Sequence, residues 1–83
     1  MKYYIDLDIA WDCPKEELEH LVEKHRMTIA ICKDPCGPGG GNPIYRFYSR
    51  YKNRIKNFLY HDYCMGDKED SEFFATHIVE RGV

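Results

Sequence analysis

Met27-Thr28-Ile29-Ala30-Ile31-Cys32, then Cys36-Gly37-Pro38-Gly39-Gly40-Gly41-Asn42-Pro43, then Ile44-Tyr45-Arg46-Phe47-Tyr48: how these three pieces join decides the fold. The outer two are rich in β-branched and aromatic residues and suit strands. The middle piece holds four glycines and two prolines in eight residues, which no regular element tolerates, since glycine opens positive φ and proline fixes φ and removes a donor. It is therefore a long connection between two strands. Glycine loops that cradle phosphate run from a strand into a helix N-terminus. This one runs from strand to strand and lacks a Gly-Lys-Ser/Thr ending, so it reads as a hairpin tip, and long loops in compact domains are commonly functional.

Upstream, Tyr3, Ile5, Leu7 and Ile9 alternate with Tyr4, Asp6, Asp8 and Ala10, the period of a strand with one apolar face. Pro14 with Glu16 and Glu17 marks a helix start, and Leu18, Leu21, Val22 and His25 form one helical stripe. Downstream, Ser49 is a candidate N-cap. Tyr51, Ile55, Phe58 and Leu59 form a second stripe, ended near Gly66. Residues 68–72 read as a polar loop and Phe73–Val79 as a last strand. The order βαββαβ predicts an α+β fold, a ferredoxin-like sandwich with a four-stranded antiparallel sheet of order 4-1-3-2 and two helices on one face. The other face is left open, carrying Tyr4, Asp6 and Asp8, and is suited to a partner or to a second copy as a homodimer.

The 83 residues make a single domain, 1–83, with a small core. Aromatic residues make up 14%, seven of them Tyr, which is a globular composition with residues useful both in cores and at contact surfaces. No apolar stretch is long enough to cross a bilayer, and the acidic residues near the N-terminus interrupt any secretory apolar region. The expectation is a cytoplasmic protein without a membrane partner, its cysteines reduced.

Net charge is −2, unevenly spread. Residues 45–57 hold five of the twelve basic residues (Arg46, Arg50, Lys52, Arg54, Lys56) and no acid. This is a basic island on an acidic chain, interleaved with Tyr45, Phe47, Tyr48 and Tyr51. Phosphate neutralisation with base stacking is one use of such a stretch, and docking on an acidic protein is another. Burial of Tyr51, Ile55 and Phe58 would explain the aromatics without either. Cys32, Cys36, His61 and Cys64 form a three-Cys, one-His set of zinc-ligand types, though without the usual Cys-x-x-Cys pair. Asp6 and Asp8 share a strand face and are of the type that binds hard cations. No catalytic arrangement follows from spacing, so a non-enzymatic protein without a cofactor is expected.

Tyr3-Tyr4-Ile5-Asp6-Leu7-Asp8-Ile9 resembles the first strand of the small CRISPR-associated ferredoxin-fold nucleases, which end that strand in an aspartate. That likeness implies a metal-dependent nuclease as one reading. Residues 36–60, from the glycine run through a short strand to a helix closing on Phe58-Leu59, resemble small bacteriophage proteins. Several of these clamp a host protein, anti-CRISPR and other anti-defence inhibitors among them. This second resemblance implies an inhibitor acting on a host protein or complex in the host cytoplasm. The expected contact residues are Gly39, Gly40, Asn42, Tyr45, Arg46, Tyr48, Arg50, Lys52 and Arg54. Nucleic acid or a nucleotide is the alternative ligand of the same surface.

Overall fold

In the computed structural model, which describes residues 2–10, 12–33 and 42–81, the chain forms β1 (Tyr3–Asp8), α1 (Lys15–Lys24), β2 (Thr28–Lys33), β3 (Ile44–Ser49), α2 (Lys52–Phe58), a π-helical turn (Leu59–Tyr63), α3 (Lys68–Ala75) and β4 (Val79–Glu80). The strands lie in the order β2-β3-β1-β4, every neighbouring pair antiparallel. Residues 34–43 thus join two antiparallel neighbours. The loop residues Gly39 and Gly40, with Cys36, lie outside the described residues.

Alternation along β1 does what the sequence requires. Ile5 and Leu7 are buried, while Asp6 and Asp8 are exposed. The register Ile5↔Phe47 and Leu7↔Tyr45 puts those β3 residues on the same face. Against it pack Leu18 of α1, Ile55 and Phe58 of α2, and Leu59 of the π turn. Burying an apolar side chain of this size is worth about 1.5–3 kcal/mol, so this one face supplies most of the drive to fold. Phe58 is the centre of the layer, its ring 4.9 Å from Phe47 and 5.6 Å from His25.

The C-terminal third departs from the sequence expectation. Among the described residues there are three α-helices, not two, and of the run Phe73–Val79 only Val79 is strand. Asp67 caps α3 by accepting from the Asp70 N–H at 3.0 Å, and Glu69 and Asp70 occupy its first turn. A capped, acidic first turn outweighs the β-propensity of Phe73 and Phe74. Phe74 then meets Tyr63 edge-on at 5.2 Å, and only Val79 and Glu80 remain to pair with β1. Ser49 is also not a helix N-cap. It is the buried last residue of β3, and its hydroxyl accepts from the Tyr51 N–H at 3.1 Å. The N-cap of α2 is Tyr51, in extended conformation.

No helix is long and apolar enough to cross a membrane among the described residues.

Candidate interaction surface

Two groups of charged and aromatic side chains stand outside the core. The first lies on the sheet face opposite the helices. Arg46 donates to Asp6 through Nε at 2.7 Å and Nη2 at 2.9 Å, and its guanidinium stands 4.1 Å from the centre of the Tyr4 ring. Tyr4 faces Tyr48 across the strands at 5.9 Å, and Arg81 stands 5.8 Å from the Tyr48 ring. The Cys32 thiol donates to the same Asp6 carboxylate at 3.7 Å. The bond from Arg46 holds the Asp6 carboxyl below the ordinary carboxylate range, against a smaller upward push from burial. The Asp6 carboxylate in turn keeps Arg46 firmly protonated. This is a closed set, in which the cation has its anion and the anion has its donors.

The second group lies where β3 hands over to α2. A groove of about 400 Å³ is lined by Lys2, Tyr3, Arg50, Tyr51, Lys52 and Asn53. A groove of about 290 Å³ is lined by Lys24, His25, Arg26, Arg54 and Asn57. The Arg54 guanidinium lies 4.8 Å from the centre of the Tyr51 ring and links the two. The topology makes this one end of the molecule. β1 starts there, β3 ends there, and α1 delivers its C-terminus there, because Thr28 pairs with Tyr48. Arg26 closes α1 in a left-handed conformation, φ 53°, with the next N–H, that of Met27, bonded back to Val22 at 2.8 Å. A non-glycine residue there costs about 1–2 kcal/mol.

Lys2 pairs with Glu80 at 3.4 Å and Lys24 with Asp62 at 3.4 Å. Arg26, Arg50, Lys52 and Arg54 have no acidic partner among the described residues. Tyr51, which the helical spacing placed in the core, is 53% exposed. As the N-cap it has φ −119° and ψ 126°, so it stands outside the helical stripe that its spacing to Ile55 implied.

Behind the second groove, His25 bonds through Nε2 to the Asp62 carboxylate. The π turn brings Asp62 to it, 37 residues along the chain. Burial pushes the Asp62 carboxyl up, but the bonds from His25 and Lys24 more than offset this and leave it below the ordinary range. Among the described residues, no hydroxyl or thiol lines this groove beside His25. The thiols of Cys13, Cys32 and Cys64 are all pushed up, chiefly by burial, opposite to a reactive cysteine.

The structure divides the expected contact set. Tyr45 is half-buried and packs against the core. Arg46 and Tyr48 belong to the closed set on the sheet, and Arg50, Lys52 and Arg54 to the basic end. Asn42 is exposed beside Pro43, whose carbonyl accepts from Ile9 at 3.2 Å. Among the zinc-type residues, Cys32 lies on the helix-free face, while His61, against Tyr60, and Cys64 lie at the π turn. Among the described residues, no three His, Cys, Asp or Glu side chains gather as a metal site. Sequence reasoning missed Lys2, Lys24, Arg26 and Asn57. The signal for them was topological, since parallel β1 and β2 start at the end where α2 begins.

Comparison of the chain with protein families, curated proteins and solved structures found no match.

Proposed function

We propose that this chain is a non-enzymatic interaction module that holds an anionic partner at its basic end. One observation carries the reading. Arg50 and Lys52 line one groove with the exposed Tyr51, and Arg26 and Arg54 line the other, all four without acidic partners among the described residues, although the chain as a whole is acidic. Lone cations of this kind add nothing to folding, and convergent ones repel. An anion supplied from outside would relieve that repulsion. We also infer that the architecture is a variant of the ferredoxin-like sandwich. The strand order and antiparallel pairing support this, with α3 taking the place of most of the fourth strand.

The test is affinity capture from cell lysate with the wild-type chain and with a variant carrying Arg50→Glu and Lys52→Glu. The expected result is loss of the captured partners from the variant with no loss of thermal stability. Retention of every partner would overturn the reading.

A further inference from the structure

Resting on the interaction-module reading, we propose that the anionic partner is a single-stranded nucleic acid, its backbone running through the two grooves and an unpaired base stacking on Tyr51. A single strand alternates negative phosphates with flat apolar bases. A surface that binds it without sequence preference must alternate cations with exposed aromatic rings along a channel. The basic end has that order. Arg26 and Arg54 with the Asn57 amide line one groove, Arg50 and Lys52 line the other, and Tyr51 stands where the two meet. The amide adds a donor that a phosphate oxygen accepts.

The alternatives fit less well. A duplex keeps its bases stacked internally and would leave Tyr51 without a ring to cover. An acidic protein surface would neutralise the cations but has no thread to lay through two linked grooves. The remaining acidity of the chain repels phosphates elsewhere and confines the strand to this end. The closed Asp6–Arg46 set stays out of the contact, since its cation is already neutralised.

The experiment is fluorescence anisotropy of the full chain with labelled oligothymidylate, oligouridylate and a duplex of equal length. Four cations on phosphates give a slope of log K against log salt of about −3, so affinity for the single strand falls roughly fifty-fold between 50 and 200 mM salt. Tyr51→Ala weakens binding at least about five-fold through lost stacking, with little change in salt slope. Arg50→Gln with Lys52→Gln flattens the slope by about 1.4. Arg46→Gln leaves both affinity and slope unchanged. A circular-dichroism melt of each variant separates lost binding from lost folding.

Equal affinity for the duplex, or a Tyr51→Ala variant that binds as the wild type does, overturns the stacking geometry. Suppose no oligonucleotide binds, yet the charge-reversed variant still loses its partners from nuclease-treated lysate. The partner is then an acidic protein: the nucleic-acid inference fails and the interaction module stands. If charge reversal changes nothing in either assay, both fail.

Discussion

Arg46 and Arg50 lie four residues apart in one basic stretch, yet they sit in opposite circumstances. Arg46 is held by two hydrogen bonds to Asp6 and covers the Tyr4 ring. Arg50 lines an open groove and has no acidic partner among the described residues. The strand-to-helix handover at Ser49 separates them, sending one to the sheet face and the other to the end of the molecule. A run of like charges in sequence is therefore not one surface. Charges with a partner inside the protein belong to the stability of the fold. Those without one are available to something else, and substitutions should separate the two kinds.

The largest effect removes the support common to both. Phe58 is 1% exposed and packs between Phe47 and His25. Phe58→Ala is expected to cost about 3–5 kcal/mol, measured by urea unfolding. It should abolish the basic end along with the fold, because α2 loses its anchor to the sheet.

Next comes the internally paired set behind the second groove. Asp62→Ala leaves the His25 ring, its side chain 9% exposed, without its carboxylate, and about 1–3 kcal/mol of stability should be lost. The folded-state carboxyl lies below its ordinary value. The stabilisation is therefore fully present above the unfolded pKa, about 3.9, and lost as pH falls through the lower folded value. Urea midpoints of wild type and Asp62→Ala should converge in acid. A gap that persists below the folded-state pKa of Asp62, located by NMR titration, would mean that Asp62 acts by packing and not by charge.

Asp6 sharpens the contrast on the sheet face. Its carboxyl is also depressed, principally by the Arg46 bond, so it too stabilises above the ordinary carboxylate pKa and loses this as pH falls through its folded value. Asp6→Asn should flatten part of the acid limb of stability. It should also release Arg46 from its anion, adding an unneutralised cation to the sheet face. The expected reading is later elution from a polyanion column than the wild type. Unchanged retention would mean that Arg46 was already available and that the division drawn above is false.

How far the sequence disclosed this depends on the range of each interaction. The β1 alternation, the α1 stripe and the β2–β3 hairpin are local patterns and were legible. The Asp67 cap of α3 was equally local, but the Phe73–Val79 run read as a strand because its apolar residues suit either period. The His25–Asp62 bond spans 37 residues and needs a π turn to close it, and nothing in a single sequence signals such a turn. Tyr51 was misplaced for an instructive reason. Its spacing to Ile55 is helical, but it precedes the first helical residue and its extended backbone turns it outward. Helical spacing assigns a face only inside the helix.

The smallest expected effect runs in the opposite direction from the others. Both α1 and α3 begin with acids in the first turn, Glu16 and Glu17 in one, Glu69 and Asp70 in the other, whereas α2 has none and begins at Lys52. The positive end of a helix disfavours a cation by about 0.3–1 kcal/mol when exposed and weakly screened. Arg50, Lys52 and Arg54 also repel one another without an internal anion to offset them. Lys52→Glu should therefore raise stability by a few tenths of a kcal/mol at low salt, an effect that fades as salt screens it, while weakening capture of the anionic partner. A residue whose removal stabilises the protein and disables its contact is retained for the contact. Matched urea melts at low and high salt, beside the binding assay, decide this. If Lys52→Glu is destabilising at low salt, Lys52 has a partner within the protein and belongs with Arg46.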